Sequence, residues 1–403
     1  MIFKGICQLQ AASVKATSLL RRKGLAACRL PLVAYLAALF SFTSISLFQF
    51  KNYREASFAF PERITGICGL NGRGKTNLLD ALHYLCFTRS YFSKSDAASV
   101  LEGAQGFRIA GRVQRDEHLH ELACVLRPPV ATGAARKEFS VDGEPYERFS
   151  HHIGKYPCVF IAPDDVQIIT GGSEERRRFL DTLLSQLGAP YLQHLMDYNK
   201  VLQQRNSYLK VLAENRSADT GLLDVYDLQL AGHGSYVFEQ RARFLQKLLP
   251  LVNGFYERIA GSHENIGLVY ESALLHTGLA ELLRQRRDKD LLLQRTTQGI
   301  HRDELAISLR GLPFKATASQ GQRKSLLFAL KLAEFELLKE AKGFAPVLLL
   351  DDVFEKLDEQ RMYNLLHWVC VQNTGQIFIT DTHRERLESA LVEMHQAYHI
   401  IEL

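Results

Sequence analysis

Four short stretches of this 403-residue chain carry side chains whose types and spacing suit nucleotide chemistry. The first, Gly69 to Thr76, reads G-L-N-G-R-G-K-T and fits the pattern G-x-x-x-x-G-K-[ST]. In that pattern the backbone N–H groups of Gly69, Leu70, Asn71, Gly72, Arg73 and Gly74 turn inward around phosphate oxygens. Lys75 reaches the terminal phosphates, and the Thr76 hydroxyl serves a magnesium ion. The second stretch is the apolar run Val347 to Leu350, which ends in Asp351 and Asp352. A buried strand ending in acids sets carboxylates at a sheet edge. There Asp351 would help Thr76 hold Mg²⁺, and Asp352 would polarise the attacking water.

The third stretch, Ser319-Gln320-Gly321-Gln322, opens a strongly helical segment. A hydroxyl and glycine N–H at a helix start make an anion site aided by the helix dipole. A plain helix cap needs only Ser319, so the full tetrapeptide asks for more. One loop-bearing domain has no second phosphate to offer it, and ATP held by another subunit does. The fourth stretch is the apolar strand Ile377 to Ile379 followed by Thr380-Asp381-Thr382-His383. Thr382 and His383 are the candidates to sense the γ-phosphate, against the plainer reading of a solvated loop histidine.

These residues need elements to hold them. "ITGICG" (Ile64 to Gly69) is a short apolar strand ahead of the loop. "TNLLDALHYLCF" places Leu78, Leu79, Leu82 and Leu85 at helical spacing behind it. "SISLFQFKNYREASFAF" alternates as an edge strand pair with a turn at Lys51 to Arg54, and further turns fall at Gly103–Gly106, Pro128–Gly133 and "VDGEPY". From Ser173 the text turns helical. "SEERRRFLDTLLSQL" reads as a helix with Ser173 as its cap and acids in its first turn. Helices about Leu222 to Ile259 and Leu279 to Leu293 follow. The expected fold is α/β, a P-loop ATPase head interrupted by a helical second lobe. Its parts are an extension over 1–42, an ATPase lobe over 43–172, a helical insert over 173–296, and the rest of the ATPase lobe over 297–403.

Composition is that of a globular chain, 46% hydrophobic and 23% charged, with a net charge of +5 that permits nucleic-acid binding without establishing it. Seven cysteines without C-x-x-C pairs read as reduced, mostly buried thiols. The uncharged run Leu30 to Phe50 has the length of a membrane span, but a span there would consume a strand the nucleotide fold needs. Residues 1–42 are therefore read as an upstream extension from a misassigned start, and a membrane association is not expected. The basic candidates for DNA are Arg54, Arg89, Lys94, Arg176, Arg177, Arg178, Arg284, Arg286 and Arg287. The competing reading of each cluster is a solvated helix face balanced by acids such as Glu174, Glu175 and Asp288. Nothing in the chain announces base readout, so shape and backbone recognition is expected.

Taken in order, the loop, helical insert, "SQGQRKSLLFALKLAE", "LLLDDVFEKLD" and terminal strand resemble the ABC-type ATPases of chromosome biology, and among them the RecF family. "FKNYREASFAF", "GLNGRGKTNLLDALHYL", "RRRFLD", "YNKVLQQRN" and "GIHRDEL" resemble its other markers, so the likeness covers roughly residues 44–403. Asp352 stands where many ABC ATPases carry glutamate, as is usual in RecF-like sequences. The resemblance implies a cytoplasmic DNA repair ATPase with slow, DNA-stimulated turnover and ATP and Mg²⁺ as cofactors. It implies an ATP-dependent homodimer in which Ser319 to Gln322 act in trans and Asp358 lies near the second subunit. It also implies binding to double-strand/single-strand DNA junctions and work with RecR and RecO to load RecA at gaps. Two other readings keep the same fold. One is a different ABC-type subunit, against which the long gap from Lys75 to Ser319 and the "SQGQ" spelling speak. The other is a DNA-binding scaffold that does not hydrolyse ATP. An SMC-type clamp would need far more heptad sequence than the insert holds.

Overall fold

A computed structural model describes residues 40–128, 135–214, 221–354 and 357–403. Two sheets enclose one helix, and a small third sheet holds β9 (Ile266–Glu271), β10 (Glu304–Leu309) and β11 (Leu312–Pro313). The five-stranded sheet runs in the order β14 (Tyr398–Glu402), β3 (Ile64–Cys68), β13 (Ile377–Asp381), β12 (Val347–Leu350) and β8 (Cys158–Ile161), and the pairs are parallel. Strands β3, β8, β12 and β13 are buried at every residue. Continuous apolar runs such as "VLLL" are what a sheet covered on both faces requires. Three of its strands come from after the helical insert and two from before, so the catalytic end is assembled from both halves of the chain.

The second sheet is antiparallel, in the order β2 (Tyr53–Ala59), β1 (Phe40–Phe50), β4 (Phe107–Arg115), β5 (His118–Arg127), β6 (Arg136–Val141) and β7 (Glu144–Pro145). The expected "SISLFQF…" pair is there, with β2 at the edge and the turn at Lys51–Asn52. Strand β1 opens at Phe40, earlier than the boundary at 43 expected from the sequence. Phe40 and Phe42 are buried in the core, and the pairing register shifts between Phe42 and Ser44. Residues 1–39, most of the expected extension, and most of the turn at Pro128–Gly133 lie outside the described residues. No helix among the described residues is long and apolar enough to cross a membrane. The described cysteines, Cys68, Cys86, Cys124, Cys158 and Cys370, are free and buried.

Helix α1 (Lys75–Phe87) lies between the sheets and is buried from Leu78 to Phe87 without interruption. The helical lobe comprises α2 (Ser173–Leu187), α3 (Ala189–Glu214), the 40-residue α4 (Gly221–Ala260), α5 (Leu279–Gln285) and α6 (Arg287–Leu293). Two local expectations are corrected. Ser173 is the first helical residue of α2, because Gly172 takes the extended capping position. The stretch Leu279–Leu293 breaks at Arg286, whose φ of −103° and ψ of 6° leave the helical region.

Two buried arginines tie the lobe together. Arg205 donates to Asp227 at 2.6 Å and Asp290 at 2.7 Å. Arg241, 1% exposed, holds Asp181 at 2.8 Å and Asp303 at 3.1 Å and donates to the Ile300 carbonyl. Removing one partner from such a site strands the buried charges that remain. Arg241→Ala should therefore lose about 3–5 kcal/mol of stability. Thermal or denaturant melting checks this, and a loss within ordinary surface-mutation size would remove the network from the stability of the lobe.

Candidate nucleotide site

The loop from Gly69 to Gly74 joins β3 to α1 at the carboxyl end of the parallel sheet, where open α/β folds place ligands. Gly72 and Gly74 have φ of 82° and 111°, in the left-handed region that favours glycine. A Cβ on Gly74 would also stand 2.6 Å from the Asn52 amide and 2.8 Å from the Tyr53 hydroxyl. Those two residues clamp the loop from outside: Asn52 Nδ2 donates to the Arg73 carbonyl and Tyr53 Oη to the Gly74 carbonyl, both at 3.0 Å. Asn77 holds Asn52 in turn, at 2.7 Å. Sequence reasoning found the hairpin and missed this clamp, although "KNY" at its turn was the available signal.

Lys75 is 5% exposed, and its Nζ donates to the carbonyls of Gly69 at 2.7 Å and Leu70 at 3.3 Å. The ammonium thus lies within the loop, where phosphate oxygens would compete for it. Thr76 Oγ1 donates to the Asp351 carboxylate at 2.9 and 3.1 Å across the ends of α1 and β12. A hydroxyl and a carboxylate brought this close form a hard oxygen pair that fits Mg²⁺, with water and phosphate completing its shell. Burial pushes the Asp351 carboxyl up to about 6, against the pull of hydrogen bonds from Thr380 and Thr76, with Asp352 adding to the rise. A cation must displace that proton. Mg²⁺-dependent ATP binding should therefore weaken as pH falls below about 6. Titration of ATP affinity against pH at fixed Mg²⁺ tests this, and a flat profile from pH 7 to 5 would contradict it.

Asp352 follows with φ of 46°, a left-handed conformation that Asp and Asn tolerate better than most residues. Its backbone N–H donates to Thr380 Oγ1 at 2.9 Å, and the same hydroxyl donates to Asp351 at 2.8 Å. Thr380, fully buried, therefore links the acidic strand to β13, a contact the sequence reading missed. Asp381, also buried, accepts both arms of Arg386 at 2.6 and 2.8 Å and the His383 N–H at 2.9 Å. The expected sensing pair lies outside this layer. Thr382 Oγ1 and His383 Nδ1 are 2.8 Å apart, and the His383 side chain is 73% exposed.

Ser319 caps helix α7 (Gln320–Lys342) in a reciprocal box: Gln322 N donates to Ser319 Oγ at 3.2 Å, and Ser319 N to Gln322 Oε1 at 2.8 Å. Gln322 also donates to Glu264 at 2.8 Å. Ser319 and Gln320 are exposed, and among the described residues none of the four hydrogen-bonds the phosphate loop of its own chain. Asp358 caps the next helix, α8 (Glu359–His367). Arg361 on that helix joins Asp358 at 3.0 Å to Ser325 of α7 at 2.9 Å. Glu355 and Lys356 lie outside the described residues.

The expected arginine clusters do not hold as single cationic faces. Arg176 is engaged by both arms with Glu304, at 2.6 and 2.7 Å, and its side chain is 12% exposed. Arg177 donates to the Asp303 carbonyl at 2.7 Å. Only Arg178 points outward, between Glu174 and Glu175. The cause is helical geometry, which turns consecutive residues about 100° apart. Arg284 pairs with Glu281, and Arg287 with Asp224 and Asp227. Arg54, Arg89, Lys94 and Arg286 are exposed, and their side chains have no ion-pair partner among the described residues; the Arg89 carbonyl meets His83 Nδ1 at 3.2 Å.

A phosphate loop after β3, an acidic strand two places along the same parallel sheet, a helical lobe that falls between them in the chain, and a helix α7 that opens on a capped S-Q-G-Q define an ABC-type ATPase head. The family of RecF/RecN/SMC N-terminal domains matches residues 41–401. The DNA replication and repair protein RecF of Flavobacterium johnsoniae is 41% identical over 89% of this chain and 99% of its own length. That of Parabacteroides distasonis is 39% identical over 88% and 94%. The solved structure of the recombination mediator RecF with ATP, from the RecFOR pathway, is 29% identical with a TM-score of 0.79, covering 87% of this chain and 94% of that one. The Smc head of Pyrococcus furiosus, 13% identical with a TM-score of 0.50 over 87% and 92%, shares the fold. This chain belongs to the RecF family of DNA replication and repair proteins.

Proposed function

We propose that this chain is a slow, DNA-stimulated ATPase that dimerises around ATP and acts on DNA at double-strand/single-strand junctions. The observation that carries the ATPase reading is the 2.9 Å contact between Thr76 and Asp351, which joins the loop to the acidic strand at one oxygen-lined point. Backbone N–H groups from Gly69 to Gly74 and the Lys75 ammonium would hold the phosphates. Thr76 and Asp351 would hold Mg²⁺, whose chemistry when bound is to neutralise charge building on the transferred phosphoryl group. Asp352 would orient the attacking water, positioned by the Thr380 link to its backbone. Ser319 to Gln322 would meet the γ-phosphate of ATP on the opposite subunit, and Thr382 and His383 would respond to it from the switch strand.

ATPase lobes over 43–172 and 297–403, with the helical lobe over 173–296 between them, would close on DNA as a pair. Exposed cations such as Arg286 and Arg178 would touch its backbone. The ATP-bound relative belongs to the RecFOR pathway, which supports partnership with RecO and RecR; together they would load RecA in the cytoplasm. Steady-state ATP hydrolysis with and without gapped duplex DNA tests the reading. Acceleration by the gapped duplex is expected. ATP binding with no turnover under either condition would favour a DNA-binding scaffold instead.

A further inference from the structure

A cleft of about 660 Å³, which no residue of the phosphate loop lines, lies between the end of α1 and the segment after it, the segment after β8, helix α2 and the middle of α7. Its volume lies in the range of small-molecule sites. At its floor are two charged residues of α7, Lys331 and Glu334, 6% and 2% exposed and 3.5 Å apart. Glu334 Oε2 makes no hydrogen bond and is offset only by the Lys331 ammonium at 3.5 Å, a weak contact for a buried carboxylate. Burial pushes its carboxyl up to about 7, so near neutral pH it can accept or donate. On the wall Phe92 is 41% exposed, its ring set edge-on to Tyr91 at 5.3 Å and to Phe160 at 5.5 Å, with the Lys51 ammonium over the ring at 5.3 Å. At the rim stand Arg89 and Lys94, exposed and with side chains unpaired among the described residues; Arg178 on the facing helix is paired with Glu174 and Glu175, and Asp164 and Asp165 also line the cleft.

These groups match the parts of one nucleotide. An exposed aromatic ring takes the face of a base. A buried acceptor beside a buried ammonium suits a base edge, which carries donors and acceptors together. The unpaired Arg89 guanidinium and Lys94 ammonium suit a phosphate. We propose that this cleft is a second nucleotide-binding site, independent of the phosphate loop, that takes one base and its phosphate. The source is either a free nucleotide or the end of a single DNA strand; the strand source alone rests on the DNA-binding reading above.

The test uses the full-length chain carrying Lys75→Met, which disables the first site. The probes are a duplex with a single-stranded overhang ending in 2-aminopurine, and free dAMP. The terminal base should lose fluorescence on binding, or dAMP should bind measurably by calorimetry. Arg89→Ala or Phe92→Ala should weaken the productive interaction about tenfold or more. Both residues are exposed, so unchanged melting verifies that the variants fold. Displacement of the overhang signal by dAMP assigns the site to free nucleotides as well, and failure to displace assigns it to the strand. Binding of both probes that is absent, or unchanged in both variants, overturns the site. Duplex binding that persists in that case leaves the DNA-binding reading standing.

Discussion

Asp352→Asn is expected to bind ATP about as tightly as the unmodified chain while turning it over about a hundred- to ten-thousand-fold more slowly, the range for a positioned acid–base group. The geometry makes this a clean substitution. Asn tolerates the left-handed φ of 46° as Asp does, and the hydrogen bond from the residue's N–H to Thr380 involves only backbone and Thr380. The change removes a negative charge and keeps the size of the side chain. Asp351 and Thr76, which would hold the metal, keep their contact. Equilibrium binding of a fluorescent ATP analogue together with single-turnover hydrolysis separates the two effects. Hydrolysis at the unmodified rate would take Asp352 out of the chemistry.

Lys75→Met should act one step earlier, on binding. The charge-assisted contacts that Nζ would give to phosphate are worth about 1.5–3 kcal/mol, or roughly ten- to 150-fold in affinity. Methionine is similar in length and apolar, and Lys75 is only 5% exposed. The variant should therefore fold, with Asn52 and Tyr53 still clamping the loop. Isothermal titration with ATP and Mg²⁺ reads the loss directly. Unchanged affinity would mean that the loop from Gly69 to Thr76 does not hold the phosphates.

The two predictions rest on parts of the molecule that were legible in different degrees. The loop and the acidic strand could be read because each is local: glycines where the backbone needs positive φ, and an apolar run that ends in carboxylates. Their meeting could be inferred only from the pattern as a whole. What escaped is non-local. Asn52 and Tyr53 gain their role from carbonyls of Arg73 and Gly74, residues that the hairpin reaches only after folding. Thr380 was passed over in favour of Thr382 and His383 because alternation along β13 decides which hydroxyl faces Asp351, and a strand's register is not written in four residues. Arg176 and Arg177 looked like a cationic run in text, yet Glu304 and the Asp303 carbonyl, which claim them, come from beyond the far end of the insert. Ser319 was legible as a cap and as something more; only the cap is satisfied within one chain.

That last point leads to the measurement that bears most directly on the proposed ATP-closed pair. In such a pair the exposed Ser319 would face the γ-phosphate of ATP bound by the partner. ATP would then drive association by binding the closed pair better than the single chain. Sedimentation velocity with and without ATP and Mg²⁺, on the unmodified chain and on Ser319→Arg, tests this. The unmodified chain should shift from monomer to dimer with ATP, and Ser319→Arg should stay monomeric while still binding ATP. A Ser319→Arg chain that dimerises with ATP as fully as the unmodified one would contradict the account and leave Ser319 a helix cap alone.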